Sequence, residues 1–214
     1  AARQLHARLA MPGLGLVLFF ASPRTDLEAL LGSLQALFGD VPLAGCTTAG
    51  EIGELGYREG TVVAVAFPSA AFTVASVRLP GASSLDAASA QAASSALLRE
   101  LEDGARWATH HEMFGLLLVD GLSVSEERLA RSIQASLGRV PLVGGSAGDG
   151  LDFRRTRVCH GGAWHDDAAV LLLVATRQPF QPFMTQQYEV CARRMVVTRA
   201  DAARRIVHEI GGRP

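Results

Sequence analysis

The chain contains no lysine: its 20 basic residues are all arginine, against 21 acidic residues. Lysine chemistry is therefore excluded, including the lysine that a P-loop needs for phosphate binding. The formal net charge of −1 argues against a general binder of polyanions. We predict no nucleic-acid partner.

Cysteines and long apolar runs are also few. Cys46, Cys159 and Cys191 show no CxxC pairing, which argues against a disulfide scaffold or a zinc site. The longest apolar runs, 14–21 and 168–175, have eight residues each, whereas a membrane-spanning helix needs about 20. The N-terminus lacks the pattern of a signal peptide. We expect a reduced, cytoplasmic chain with no membrane partner.

The 214 residues are 49 % apolar and contain an internal repeat. Residues 28–45 align with residues 127–144 without a gap, and ten of these 18 positions are identical. Deleting one upstream residue also aligns 15–18 with 115–118, and such an indel fits a loop. Two copies at this long spacing indicate a duplicated domain rather than a solenoid.

Both copies predict the same elements. Apolar runs at 15–20 and 114–119 indicate strands buried on both faces, and amphipathic stretches at 26–38 and 125–137 indicate helices packed on a sheet. Each helix ends at a glycine, and a second strand then opens with Val-Pro-Leu. After a glycine-rich segment in each copy come further predicted strands, at 61–67, 72–79, 156–160 and 168–175, with a weaker one at 187–192.

The predicted fold class is therefore α/β, with two β-α-β-β units related by a pseudo-twofold and mixed sheets flanked by helices. The halves are expected at about 14–80 and 114–192, and a long alanine-rich helix at about 84–106 joins them. The tail beyond 195 fits either a hairpin or a helix over 201–210.

The glycine-rich segments 45–51 and 144–150 follow strands at equivalent positions. In open α/β sheets ligands bind beyond the carboxyl ends of strands, and a pseudo-twofold would bring both segments to one crevice. Small residues let a ligand approach the backbone amides, and the carboxylates suit an ammonium group. The predicted ligand-binding residues are Gly45, Cys46, Thr47, Thr48, Glu51, Asp120, Gly144, Gly145, Ser146 and Asp149.

Simpler interpretations remain open for these residues. The glycines could serve only in bulges or turns, and Asp120 could cap Ser123 instead of facing the crevice. Arg154, Arg155 and Arg157 crowd the segment after residue 150, and Arg155 and Arg157 alternate onto one face of a predicted strand. They could pair with a carboxylate or a propionate, and a solvated hairpin face is the simpler interpretation. Segment 144–150 fails GxGxxG spacing, so it is not a dinucleotide loop.

Cys46 and two histidines are candidates for other chemistry. A nucleophilic Cys46 would need a histidine partner, and a small buried filler is the simpler role for this residue. His160 opens a predicted hairpin turn and His165 precedes the next strand. Either could be an axial haem ligand or an ordinary turn residue.

Two motifs resemble those of the FIST N-terminal domain family. Residues 42–52, PLAGCTTAGEI, are similar to its GCxTAGEI signature, and residues 140–149, VPLVGGSAGD, are similar to its VGGxAGD signature. The resemblance covers about 14–194, and we assign the domain to 12–194. Residues 195–214 resemble the opening of a FIST C-terminal domain, which suggests a fragment of a longer sensor protein.

The resemblance implies a bacterial, intracellular sensory module that occurs alone or beside histidine kinases, chemoreceptors and cyclic-dinucleotide enzymes. It implies a small ligand, such as an amino acid, and no catalytic residue. Some members resemble haem-binding nitric oxide sensors. We therefore expect a non-catalytic ligand-binding sensor. The alternatives are a haem-binding nitric oxide sensor that uses His165 or His160, a thiol enzyme built on Cys46, and a purely structural dimerisation body.

Overall fold

A computed structural model describes residues 1–54, 56–185, 189–202, 204 and 206–214. The chain divides into two compact units, Ala1–Phe180 and Gln181–Pro214. Among the helices of the described ranges, none is long and apolar enough to cross a membrane.

The first unit contains four α-helices and eleven strands within the described residues. The helices are α1 (Ala2–Leu9), α2 (Leu27–Phe38), α3 (Ala87–Gly104) and α4 (Glu126–Leu137). The strands are β1 (Leu14–Ala21), β2 (Leu43–Thr47), β3 (Glu51–Gly53), β4 (Gly56–Arg58), β5 (Val62–Pro68), β6 (Phe72–Pro80), β7 (Met113–Val119), β8 (Leu142–Ser146), β9 (Val158–His160), β10 (Ala163–His165) and β11 (Ala168–Thr176).

Two mixed sheets form the centre of this unit. The first sheet has the order β10-β9-β2-β1-β5, and the second has the order β6-β11-β7-β8. Their facing sides share one core, to which β1 contributes Leu16 and Leu18 and β11 contributes Val170 and Leu172. Helices α1 and α2 pack on the outer side of the first sheet, and α3 and α4 on the outer side of the second. The predicted fold class, α/β with mixed sheets flanked by helices, is confirmed.

The same local arrangement occurs in both sheets. Strands β1 and β2 are parallel and joined by α2, as β7 and β8 are joined by α4, because parallel neighbours need a crossover connection. Strands β5 and β11 lie antiparallel to β1 and β7, respectively. The halves also exchange strands, since β6 pairs with β11 and β9 pairs with β2. The duplication itself stays an inference from the sequence.

Local signals in the sequence explain the helix ends. Asp26 accepts a hydrogen bond from the N–H of Ala29 (3.0 Å), and Asp86 accepts one from Ser89 (2.9 Å). Gly39 and Gly138 end their helices at φ of 61° and 58°, where glycine is favoured. The linking helix, expected at about 84–106, covers Ala87–Gly104, and it begins at Ala87 because Asp86 is its N-cap.

Several elements differ from the expectations. Helix α1 and the β3–β4 hairpin were not predicted, and the strand expected at 156–160 covers only Val158–His160. Of the weak strand expected at 187–192, residues 187 and 188 lie outside the described residues, and 189–192 form no strand.

In the second unit, β12 (Val197–Asp201) pairs antiparallel with β13 (Ile206–Ile210). Of the two alternatives for the tail, the hairpin is therefore the one observed.

Candidate functional site: a cleft with charges of both signs

The two glycine-rich segments meet where β2 and β8 end. The N–H of Gly148 donates to the carbonyl oxygen of Thr47 (2.9 Å), and that of Ala147 donates to Val119 (2.7 Å). A Cβ on Gly148 would lie 3.1 Å from the nitrogen of Ala49, so a side chain there would press on the other segment. The close crossing of the two segments therefore favours glycine at this position.

A cleft of about 680 Å³ opens at this crossing. The first glycine-rich segment contributes Thr48 and Ala49, and the second contributes Asp149 and Gly150. The volume of the cleft falls in the range of small-molecule sites. The remaining lining residues are Ser22, Pro23, Arg24, Tyr57, Glu59, Leu151, Asp152, Arg154 and Arg155.

Three arginines line the cleft in different states of pairing. Arg24 donates to Glu59 (2.9 Å), and Arg155 donates through two nitrogens to Asp166 (both 2.8 Å). The guanidinium of Arg154 forms no hydrogen bond or ion pair with the described residues, although it is exposed and lines the cleft. Arg154 is therefore the arginine that can accept an anionic group without giving up a partner.

Asp149 shapes the wall that carries Arg154. Its carboxylate accepts hydrogen bonds from the N–H groups of Phe153 (3.1 Å), Arg154 (2.7 Å) and Arg155 (2.9 Å). Partial burial opposes ionisation of this carboxyl, but these three hydrogen bonds outweigh it and lower its pKa below the usual 3.8. Asp149 thus stays ionised and holds the loop 149–155 in place.

The opposite wall is the β3–β4 hairpin. Tyr57 packs on Gly50, where a Cβ would lie 2.3 Å from the phenolic oxygen. That oxygen is 3.4 Å from both the carbonyl oxygen of Ala49 and a carboxylate oxygen of Glu59. The hairpin therefore presents an aromatic ring and a carboxylate to the cleft.

Glu51, the first residue of β3, connects the base of this hairpin to Thr48 and Thr61 through hydrogen bonds. The hydroxyl of Thr48 donates to one of its oxygens (2.7 Å), and the N–H (2.9 Å) and hydroxyl (2.6 Å) of Thr61 donate to the other. Its side chain is buried and does not line the cleft. In this arrangement Glu51 orients Thr48 rather than facing a ligand.

Comparison with known protein families identifies the chain. The family model of the FIST N domain matches residues 15–213. The chain belongs to the FIST family. FIST domains are sensory domains of signal transduction. A comparison with curated proteins gave no match.

Within this FIST domain, the first half of the GCTTAGE motif is a buried strand. A Cβ on Gly45 would lie 2.1 Å from the carbonyl oxygen of Phe19, so glycine is needed for β2 to approach β1. Thr47 is buried, and its hydroxyl accepts from the N–H of Arg157 (3.0 Å). Cys46 lies between the two sheets, where burial raises its pKa to about 12. This arrangement does not favour a thiolate nucleophile, because burial stabilises the neutral thiol.

The corresponding residues of the second FIST motif lie on an open edge. Gly144, Gly145 and Ser146 are exposed on β8, the last strand of its sheet. The Ser146 hydroxyl is 3.4 Å from a carboxylate oxygen of Glu126. None of these three residues lines the cleft, so their predicted role in binding the same ligand stays a prediction.

Asp120 is a buried structural acceptor next to a smaller cavity of about 300 Å³. Its carboxylate accepts from the N–H of Leu122 (3.0 Å), the N–H of Asp167 (2.6 Å) and the hydroxyl of Thr156. Of the two roles left open by the sequence, local capping describes these contacts better, although the N–H of Leu122 replaces Ser123 as the local donor.

At both candidate haem ligands, His160 and His165, the Nε2 atom already has a hydrogen-bond partner. That atom of His160 is 3.0 Å from the Ser76 hydroxyl, and that of His165 is 3.0 Å from the carbonyl oxygen of His160. His160 lines a separate cavity of about 380 Å³ beside Gln35 and Gly162. These contacts do not fit axial haem ligation through Nε2 at either histidine.

Most of the residues that line the cleft were not among the predicted ligand-binding residues. One signal could have found part of it: Arg24 lies three residues beyond the carboxyl end of β1, and ligands bind beyond the carboxyl ends of strands. Tyr57, Glu59, Asp152 and Arg154 lie in a hairpin and a loop whose positions depend on long-range packing. No local pattern marks Tyr57, Glu59 or Asp152, and Arg154 stands out only as one of three clustered arginines.

Proposed function

We propose that this FIST domain is the input module of a signalling protein and binds a small zwitterionic metabolite, such as a free amino acid, in the cleft. The observation that carries the proposal is the lining of the cleft, where an uncommitted guanidinium lies in the same space as several carboxylates. A zwitterion carries a carboxylate that can pair with the guanidinium and an ammonium group that can pair with the carboxylates.

Arg154 is the residue expected to bind the carboxylate. A guanidinium offers two parallel N–H donors that match a carboxylate, and this geometry is stronger than a single neutral hydrogen bond. The three hydrogen bonds to Asp149 hold the loop 149–155 in place, which limits the ordering cost of binding.

Asp152 and Glu59 are expected to receive the ammonium group. Asp152 is exposed in the loop that carries Arg154, and Glu59 extends from the opposite wall. The rest of the ligand would contact Tyr57 and Leu151, which are 63 % and 89 % exposed. Burying these surfaces favours binding and draws the two walls together.

Closure of the two walls is the change that a partner could detect. A ligand held by Arg154 and Tyr57 would connect the loop 149–155 to the β3–β4 hairpin. The expected output partners are a histidine kinase, a chemoreceptor or a cyclic-dinucleotide enzyme. Since binding to the folded state stabilises it by mass action, the ligand can be found without knowing the partner.

The test is a thermal-shift screen of the purified chain against the free amino acids. At a concentration one hundred times Kd, a ligand stabilises the folded state by about 2.7 kcal/mol. Each active amino acid is then compared with its decarboxylated amine and its deaminated acid. We expect the shift to require both charged groups.

Two variants connect the shift to the cleft. Arg154→Ala and Asp152→Ala should each abolish the shift and leave the unliganded melting temperature unchanged, because both side chains are exposed. Arg131→Ala is the matched control, since Arg131 is an exposed arginine on α4, paired with Glu127 outside the cleft. A screen without any active amino acid, or binding that survives both cleft variants, would refute the proposal.

A further inference from the structure

Strand β8 forms the outer edge of the second sheet. It pairs with β7 on one side, and no strand in the described part of the chain pairs with its other side. The N–H of Gly115 donates to Pro141 and that of Ala147 donates to Val119. In this parallel ladder the backbone groups of Leu142, Gly144 and Ser146 therefore point away from β7.

Among the described residues, strand β8 carries neither the charge nor the proline that often protects an edge strand. Natural edge strands are shielded by charges, prolines, bulges or a covering element. Strand β8 reads Leu-Val-Gly-Gly-Ser and contains no charge and no proline. Its last three residues are exposed. An unprotected edge of this kind is a template for a further strand.

The equivalent edge of the first sheet shows what such a strand looks like. Strand β9 runs antiparallel along β2, with Gly45 opposite Cys159 and Cys46 opposite Val158. Beyond them, the N–H of Thr47 donates to the carbonyl oxygen of Arg157 (2.9 Å), and its hydroxyl accepts from the Arg157 N–H (3.0 Å). Ser146 stands at the position of Thr47 and offers the same hydroxyl.

The free edge of β8 is complementary to itself. Its outward backbone groups belong to residues 142, 144 and 146, which are symmetric about Gly144. An antiparallel copy therefore places Gly144 opposite Gly144 and Leu142 opposite Ser146, with about six hydrogen bonds in total. The glycines leave no side chains that would clash at the centre.

We propose that β8 pairs antiparallel with β8 of a second copy of this chain, so that two four-stranded sheets become one continuous sheet across a twofold axis. Such an interface is isologous, which is the commonest symmetry of soluble dimers. The helices α4 of the two copies then run antiparallel. Each helix begins with two acidic residues, Glu126 and Glu127, of which Glu127 also pairs with Arg131 of the same helix, and is followed at its other end by the exposed Arg139. The antiparallel arrangement therefore places opposite charges near each other.

Analytical ultracentrifugation of the full chain over a range of concentrations tests the proposal. We expect a monomer–dimer equilibrium, together with hydrogen exchange in residues 142–146 that slows as the dimer forms. Ser146→Pro removes an outward N–H from each copy and should raise the dissociation constant about thirtyfold. Ser146→Ala keeps the N–H and should remain dimeric.

A second variant, Gly145→Arg, tests the proposal even if Ser146→Pro does not fold. A Cβ on Gly145 meets no atom within 4 Å, so Gly145→Arg fits the monomer and adds an edge charge that opposes pairing. Gly145→Ala is its control. A monomer at every concentration, or a dimer that neither Ser146→Pro nor Gly145→Arg weakens, overturns the proposal. Slow exchange that does not depend on concentration also overturns it, because the edge is then covered by another part of the same chain.

Discussion

Substitution by alanine should have very different effects on stability at two adjacent glycines of β8, Gly144 and Gly145. A Cβ on Gly144 would lie 1.9 Å from the carbonyl oxygen of Leu117, whereas a Cβ on Gly145 meets nothing within 4 Å. Gly144→Ala should therefore destabilise the domain strongly, and Gly145→Ala should not. Both glycines lie on β8 and are exposed, but only Gly144 approaches β7 this closely, and only Gly144 has a positive φ, of 152°, which disfavours alanine further.

The magnitude follows from the movement that a methyl group forces. Real Cβ contacts are essentially never below 3.0 Å, so the Leu117 carbonyl must withdraw by about 1 Å. That displacement breaks the ladder bonds on either side of Leu117 and leaves buried backbone groups unpaired, each at a cost of about 1–3 kcal/mol. We expect a loss of about 3 kcal/mol, which lowers the melting temperature by about 6–12 °C in a chain of this size. For Gly145→Ala we expect a change within about 0.5 kcal/mol.

Urea denaturation of the parent chain and both variants, followed by circular dichroism, measures these differences. Gly45→Ala extends the test to the first sheet, because its Cβ would lie 2.1 Å from the carbonyl oxygen of Phe19. Equal stability of Gly144→Ala and Gly145→Ala would refute the argument, since it would mean that β8 does not approach β7 as described.

Two further predictions concern ionisable groups. Burial raises the pKa of Cys46 to about 12, so iodoacetamide should modify the exposed Cys191 much faster than Cys46 in the folded chain. Peptide mass spectrometry measures the two rates of modification, and equal rates would contradict the prediction. Burial, together with the charges of His165 and Arg78, lowers the pKa of His160 below 6.5, so acid favours the unfolded chain, which binds that proton more readily. The urea midpoint should fall between pH about 7.5 and about 5.5, and less so in His160→Asn; an equal fall in both chains would assign the acid sensitivity to other groups.

Much of the fold could be predicted because its signals are local. The apolar runs gave β1 and β7, the amphipathic stretches gave α2 and α4, and Gly39 and Gly138 marked the helix ends. The β3–β4 hairpin could not be found this way. Each of its strands has three residues, too few for an alternating pattern to be recognised.

The candidate site was less predictable because glycine has more than one role. Gly45 and Gly144 are small because β2 and β8 approach their neighbours closely, and Gly148 is small because the two segments cross. The sequence motif is the same whether glycine serves a ligand or a neighbouring strand. Only Thr48 and Asp149 among the predicted ligand-binding side chains line the cleft.

The asymmetry between the halves explains why the two copies do not reveal most of the side chains that line the cleft. Three residues separate β2 from β3, whereas 11 residues separate β8 from β9. The longer connection carries Asp152 and Arg154 and delivers β9 to the edge of β2. The shorter one leaves β3–β4 as a separate hairpin that forms the other wall, and β8 keeps its open edge. Since Asp152 and Arg154 belong to the extra length, they have no counterparts in the first copy. The cleft and the free edge therefore arise from the same difference in length, at the place where the repeat ends.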